Sequence, residues 1–113
     1  MAKTTAKPSI NLSAIVYCED GVWLAHCLEL DIVAEGTDPQ DALRSLMSLC
    51  DLQITTALEE GDIAAIFRPA PPEIWKLFVI GTSLSVDERD EPENADGFKS
   101  PVRRFESREL CFA

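Results

Sequence analysis

The sequence predicts an α+β domain: a mostly antiparallel sheet of three to four strands, with one long helix on one face and a short second helix. Two observations carry this. Apolar residues alternate on both sides of an Asp-Gly dipeptide, and apolar residues then recur at three- and four-residue steps after Gly36. The 113 residues fit one domain, 1–113, and we expect its core to span about residues 9–81.

The first two strands form a hairpin. Apolar residues alternate from Ser9 to Cys18, and VWLAHCL, residues 22–28, is the returning strand. Asp20-Gly21 favours a two-residue type I′ turn, which fixes the pairing so that Glu19 lies opposite Val22. One face of the hairpin is then apolar throughout and is expected to pack against the long helix. It comprises Leu12, Ala14, Val16, Cys18, Trp23, Ala25 and Cys27.

The opposite face of the hairpin is also too apolar for a face that meets water, since a solvated sheet face is normally polar. Such a patch is typical of an interface. We therefore expect a partner or a second copy of the chain to bind there. The short helix 73–80 could instead cover the same face, and the sequence does not decide between the two. The candidate partner or dimer face consists of Ile15, Tyr17, Leu24 and His26.

A third strand at 31–35 and a long helix at about 38–60 follow. Thr37 is predicted to cap the helix with its hydroxyl, with Pro39 in the first turn and Gln40 three residues after the cap. Gly61 is the predicted C-cap. The apolar positions of the helix are Ala42, Leu43, Leu46, Met47, Cys50, Ile54, Ala57 and Leu58.

The remainder of the chain holds less apolar periodicity. A proline-rich extended segment leads to a short helix at 73–80. Residues 86–101 are rich in acidic residues, Pro and Gly, which predicts a mobile loop. Residues 105–113 alternate again, so we expect a C-terminal strand that rejoins the sheet.

Residues 17–43, YCEDGVWLAHCLELDIVAEGTDPQDAL, resemble the HicB-like antitoxin family. The likeness extends over roughly residues 10–60. It combines a hairpin, a second strand that ends in a Glu-Leu pair, a short strand and an acidic helix start. The positions that carry it are Glu29-Leu30, Gly36, Thr37 and Ala42-Leu43.

This resemblance implies a partial ribonuclease H-like fold without catalysis. It also implies that the domain binds and neutralises a small basic HicA-type toxin, an RNA-cleaving protein. Full antitoxins of this kind usually add a C-terminal DNA-binding segment, and no such segment is predicted after Gly61. Two alternatives stay open: a stand-alone interaction or regulatory module without a toxin, and a metal-dependent nuclease of the ribonuclease H-like type.

The charge balance bears on the class of partner. Twenty acidic and ten basic residues give a formal net charge of −10. Because nucleic-acid binding draws much of its affinity from Lys and Arg, DNA binding is not expected. A basic protein partner would be steered towards such a surface, although the charge could also serve only solubility. The chain has no apolar run long enough for a membrane span and no apolar signal core, so we expect a cytoplasmic protein with reduced cysteines.

No catalytic, cofactor-binding or metal-binding residue is predicted, and the chain is not expected to be an enzyme. A two-metal nuclease requires several converging carboxylates. Of the acids near the strands, Asp20 and Glu35 are accounted for by turns, which leaves Glu29 and Asp31. A thiol–imidazole pair is disfavoured because neighbouring strand residues point to opposite faces. Protein binding and homo-oligomerisation are the expected activities.

Overall fold

The computed structural model describes residues 10–88 and 101–110. Within these ranges it contains five strands, two α-helices and one short 3₁₀ turn. The strands are β1 (Ile10–Glu19), β2 (Val22–Cys27), β3 (Ile32–Gly36), β4 (Thr82–Glu88) and β5 (Val102–Glu109). The helices are α1 (Pro39–Glu60) and α2 (Pro72–Ile80), and the 3₁₀ turn is Ile63–Ile66.

The strands form one sheet in the order β3-β2-β1-β5-β4. All neighbours are antiparallel except β1 and β5, which run parallel. The α+β class, the mostly antiparallel sheet, the long helix and the short second helix are therefore confirmed. The sheet has five strands rather than the predicted three to four.

The additional strand is β4, which the sequence did not reveal because it buries little apolar surface at a sheet edge. Residues 86–88 were predicted to begin a mobile loop and instead complete β4. Residues 89–100 of that predicted loop lie outside the described residues. Strand β5 starts at Val102, earlier than the predicted 105, and residues 111–113 lie outside the described part of the chain.

The hairpin of β1 and β2 has the predicted turn and register. Asp20 and Gly21 both have positive φ, 52° and 79°, as a type I′ turn requires. The Cα partners run from Glu19 with Val22 to Ala14 with Cys27. The separation of the hairpin side chains into two faces follows from this register.

Helix α1 covers the first of these faces, and its two ends are capped. Its N-cap is Asp38, whose side chain accepts the Asp41 N–H at 2.8 Å, rather than the predicted Thr37. Thr37 lies one residue earlier and donates its own N–H to the Asp41 carboxylate at 2.8 Å. At the other end, Gly61 is the predicted C-cap, with φ 71°. The capping is thus reciprocal: Asp38 accepts the backbone N–H of Asp41, and the Asp41 carboxylate accepts the backbone N–H of Thr37.

The main core lies between α1 and the sheet. The buried strand residues that face α1 include Leu12, Ala14, Val16, Ala25 and Cys27. Val102 and Phe105 of β5 belong to the same cluster, so the core extends beyond the predicted limit at residue 81. The buried positions of α1 are Ala42, Leu43, Leu46, Cys50, Ile54 and Ala57. In the described ranges, neither helix is long and apolar enough to cross a membrane.

Candidate functional site

Helix α2 packs on the second face of the sheet and forms a smaller core there. Ile15, at 0% exposure, is buried with Leu28, Ala70 and Leu110. The partly buried residues packed against this cluster are Tyr17, Ile74, Trp75, Leu77 and Phe78. The protein's own chain therefore covers Ile15, and this member of the predicted partner face is not available at the surface.

Three polar contacts hold α2 and its leading segment on the sheet. The Ala70 N–H donates to the carbonyl of Leu28 at 2.7 Å. The indole Nε1 of Trp75 donates to the Ala70 carbonyl at 3.1 Å. At the C-terminal end of α2, Arg108 Nη1 donates to the Phe78 carbonyl at 2.9 Å, and its guanidinium lies 4.3 Å from the centre of the Phe78 ring. Arg108 thereby places a positive charge and a second hydrogen-bond donor at the negative, carbonyl end of the helix.

His26 is also buried, at 8% exposure, and its ring has a fixed partner. Its Nε2 lies 2.6 Å from Oδ1 of Asp31, a residue with φ 53° in the turn after β2. Cys27 lies in the main core, on the side of the sheet that faces α1. Because neighbouring strand residues alternate between faces, His26 and Cys27 do not form a thiol–imidazole pair. The contacts of His26 are those of a residue that secures the β2–β3 turn.

Tyr17 and Leu24 remain the accessible part of the predicted partner face. Both are half-buried, and they lie opposite each other in the β1–β2 register. Burial, together with the charge of Glu19, raises the pKa of Tyr17. Next to them, on edge strand β3, Val33 is an apolar residue at 47% exposure. The accessible apolar surface therefore lies closer to the β3 edge of the sheet than the predicted partner face does.

Glu29 is not among the predicted site residues, yet it occupies a specific place where β2 ends. The Leu28 N–H still donates to the Ser13 carbonyl at 2.9 Å, but the Leu28 carbonyl accepts from Ala70 instead of from β1. The Ser13 N–H therefore loses its strand partner, and Oε1 of Glu29 accepts it at 2.7 Å. A side-chain carboxylate here replaces a backbone carbonyl.

The Glu29 carboxylate is partly buried, and this affects its chemistry. Burial raises its pKa, and the hydrogen bonds from Ser13 and Cys27 offset this only in part. Cys27 Sγ lies 3.9 Å from Oε1 of Glu29. A hydrogen bond with Cys27, together with burial, raises the pKa of the Cys50 thiol on α1. This region therefore favours protonated side chains, as expected for a structural polar cluster rather than a reactive thiolate.

The sequence contains a signal for this cluster. Glu29 lies between two buried residues, Leu28 at 0% exposure and Leu30 at 5% exposure. A carboxylate between two core residues, directly after a buried strand, must find a donor inside the fold. The contact with the Ser13 N–H gives this Glu29-Leu30 pair a physical reason.

The excess of negative over positive charge is concentrated in one part of the chain. Residues 10–67, which form β1 to β3, α1 and the 3₁₀ turn, contain eleven acidic residues and one basic residue, Arg44. The acidic residues are Glu19, Asp20, Glu29, Asp31, Glu35, Asp38, Asp41, Asp51, Glu59, Glu60 and Asp62. Of the basic residues after residue 67, Arg103, Arg104 and Arg108 lie on β5.

Several of these carboxylates surround β3. Asp31 precedes the strand, Glu35 lies within it, and Asp38 and Asp41 follow at the start of α1. The start of α1 is pressed against the end of β3, since a Cβ added at Gly36 would lie 2.2 Å from the Ala42 backbone nitrogen. The N–H and hydroxyl of Thr37 lower the pKa of Asp41. This edge of the sheet therefore presents negative charge.

Among the described residues, no group of three or more His, Cys, Asp or Glu side chains is placed to hold a metal ion. Cys18, Cys27 and Cys50 are free thiols, and Cys111 lies outside the described residues. The arrangement offers hydrogen-bonding groups, apolar surface and negative charge at one sheet edge.

No family model matches this chain, and neither a curated protein nor a solved structure matches it.

Proposed function

We propose that this chain is a protein-binding module that acts without catalysis, and that its partner is a small basic protein. Following the HicB-like resemblance, the partner would be a HicA-type RNA-cleaving toxin, which the chain would neutralise in the cytoplasm. The observation that carries the proposal is the charge distribution: eleven acidic residues against Arg44 alone over residues 10–67.

A surface of one sign acts at a distance on a partner of the opposite sign. It steers the encounter and raises the association rate, and this effect weakens as salt screens the charges. It also discriminates against acidic partners, including the phosphate backbone of nucleic acids. The charge thus favours a basic protein over DNA.

The contacts of the carboxylates support binding rather than catalysis. Asp31 holds His26, Glu29 satisfies the Ser13 N–H, and Asp41 bonds Thr37. A ribonuclease H-like nuclease would need several of its carboxylates to converge on divalent metal ions. In this fold, these three side chains serve separate parts of the structure.

The test is titration of the purified chain into a HicA-type toxin, with calorimetry for binding and an RNA-cleavage assay for neutralisation. We expect binding that weakens as salt is raised from low to physiological concentration, and RNA cleavage that falls with added chain. Uninhibited cleavage at excess chain, with no heat of binding, would reject the antitoxin function. A binding partner that is basic but has no toxic activity would instead identify a stand-alone interaction module.

A further inference from the structure

Strand β3 is an edge of the sheet within the described residues, because it pairs only with β2. The Leu28 N–H donates to the Ser13 carbonyl, so Ser13 and Leu28 occupy a hydrogen-bonded position of the ladder, although only this one of its two bonds joins the strands. Bonded and non-bonded pairs alternate along antiparallel strands. Following this alternation through the β1–β2 and β2–β3 registers shows that the N–H and C=O groups of Ile32, Ala34 and Gly36 point towards β2. Those of Val33 and Glu35 point away from the sheet.

This edge lacks three of the features that can protect an exposed strand, although β3 is short, at five residues, and carries the charged Glu35. Edge strands are commonly blocked by Lys, Pro or a bulge. The sequence of β3, IVAEG, contains neither Lys nor Pro, and its pairing with β2 has no register shift. At the opposite edge, β4 does have a shift between Ser83 and Ser85. Of the two edges of the described sheet, β3 is the regular one.

The side chains beside this open edge combine apolar surface with negative charge. Val33 and Glu35 lie on the second face, next to His26 and Leu24 in the register. Val33 is 47% exposed, and Glu35 is exposed. Asp31 lies directly before the strand. An added strand would therefore meet an apolar position and an acidic position in alternation.

We propose that an extended segment of the basic partner adds to the sheet as a sixth strand along β3. The backbone groups of Val33 and Glu35 would bond the added strand, and Lys or Arg side chains of the partner would lie next to Glu35. This inference rests on the proposed function, since it names the surface through which the partner binds. It identifies the backbone edge of β3 as the binding surface, which neither the resemblance nor the predicted partner face includes.

Charge decides between a basic partner and a second copy of this chain. Pairing of β3 with β3 of another copy would bring Asp31 and Glu35 of both chains to one seam, and each chain carries a net charge of −10. Like charges placed opposite each other across strands are destabilising. A basic strand converts the same side chains into attractive contacts.

The experiment uses the full chain labelled for NMR, with the basic peptide Ac-Lys-Val-Lys-Val-Lys-Val-Lys-NH₂ as the probe. The same peptide with Glu in place of Lys is the control. We expect the basic peptide to shift the amide signals of Val33 and Glu35 and to slow their hydrogen exchange, with little change along β4. Shifts that centre on α2 or β4, or an equal response to the acidic peptide, would overturn the proposal.

Two pairs of variants separate backbone pairing from charge. Val33→Pro removes the outward N–H and should weaken peptide binding about tenfold or more, whereas Val33→Thr keeps it and should bind within a few-fold of wild type. Glu35→Lys should weaken binding about tenfold, whereas Glu60→Lys, with the same charge change at the far end of α1, should change it about twofold or less. Equal effects within the Glu→Lys pair would show that only net charge matters, which would overturn the β3 site even if Val33→Pro failed to fold.

The outcomes also distinguish this inference from the proposed function. If a HicA-type toxin binds and is neutralised but Glu35→Lys and Glu60→Lys affect it equally, the β3 site is wrong and the antitoxin function stands. If the peptide protects Val33 and Glu35 but no toxin is neutralised, the β3 site stands and the antitoxin function is wrong. A rise in molecular mass of the chain alone, abolished by Val33→Pro but not by Val33→Thr, would assign β3 to self-association and overturn the proposal.

Discussion

The carboxylate of Glu29 accepts the backbone N–H of Ser13 at 2.7 Å, at the point where β2 leaves the sheet. This contact lets the chain turn away after Cys27 without leaving a β1 donor unsatisfied. The freed carbonyl of Leu28 in turn receives the Ala70 N–H at 2.7 Å, which anchors the segment that leads into α2. The Glu29 side chain thus satisfies β1 and leaves the Leu28 carbonyl free to bind the segment that leads into α2, the helix on the second sheet face.

Replacement of Glu29 by Ala should destabilise the fold. The substitution leaves the Ser13 N–H without its acceptor in a partly buried position, which costs about 1–3 kcal/mol. Urea unfolding monitored by far-UV circular dichroism measures the change. Glu59→Ala, at an exposed position of α1, is the matched control and should change stability by less than about 0.5 kcal/mol. Equal losses in the two variants would contradict the role assigned to Glu29.

Replacement of Glu29 by Gln should change how stability depends on pH. Burial raises the pKa of Glu29 above its ordinary value of 4.5, so the folded protein retains this proton to higher pH than the unfolded chain. The stability that Glu29 contributes is therefore complete below the unfolded pKa and is lost as the pH rises through the folded pKa. Gln keeps an oxygen acceptor and does not ionise. Relative to wild type, Glu29→Gln should become progressively more stable from about pH 4 to neutrality.

Thermal unfolding of wild type and Glu29→Gln across this pH range tests that expectation. Glu59→Gln removes the same charge at an exposed site and corrects for the general repulsion in a protein of net charge −10. If the melting-temperature difference between Glu29→Gln and wild type does not grow with pH beyond that of the control, the raised pKa of Glu29 is refuted.

Replacement of Gly36 by Ala should be among the most damaging small substitutions in the chain. The added Cβ would lie 2.2 Å from the Ala42 nitrogen and 2.5 Å from its Cα, which are backbone atoms that cannot rotate away. The end of β3 and the start of α1 would have to separate, at a cost of about 3 kcal/mol or more. Chemical denaturation measures it.

Gly61→Ala is the control for Gly36→Ala. Gly61 has φ 71° but has nothing within 4 Å of the added Cβ, so only backbone strain of about 1–2 kcal/mol is expected. A smaller loss at Gly36 than at Gly61 would show that α1 does not approach β3 as closely as described.

Replacement of Trp75 by Ala should loosen the cover of the second sheet face. The indole packs against the cluster of Ile15 and Leu28 and also donates to the Ala70 carbonyl. Because Trp75 is only partly buried, we expect a loss of about 2 kcal/mol, below that of a fully buried Trp. Faster hydrogen exchange at Ala70 should accompany it, since its N–H bonds Leu28.

Val79→Ala is the matched control on α2, because Val79 is 73% exposed. Its stability should stay within about 0.5 kcal/mol of wild type. If Trp75→Ala is as mild as Val79→Ala, α2 does not contribute to the stability of the sheet, and the second face is accessible to a partner after all.

Local interactions explain why much of the first sixty residues was predictable. Asp20-Gly21 determines both the turn and the register of β1 with β2, since a two-residue turn leaves no freedom in the pairing. The spacing of apolar residues between Ala42 and Ala57 determines which side of α1 is buried. Gly61 ends that helix because it tolerates positive φ. Each of these effects acts within a few residues of the chain.

The N-cap of α1 shows the limit of such local signals. Thr37 and Asp38 both have side chains that cap helices, and their order in the sequence does not decide between them. The position of Asp41 in the first turn does, because its carboxylate bonds Thr37 and leaves Asp38 to accept the Asp41 N–H. The predicted N-cap, Thr37, is therefore one residue before the actual N-cap, Asp38.

Local features of the sequence are sufficient to predict the hairpin, its register, the long helix and the two apolar faces of the hairpin. The three-dimensional fold was needed to show that β1 pairs in parallel with β5, that α2 covers Ile15, and that β3 lies at an edge of the described sheet. These features join segments far apart in the chain, where no turn or repeat relates one residue to another. The role of Glu29 is of the same kind, because it depends on which backbone donor of β1 loses its partner when β2 leaves the sheet.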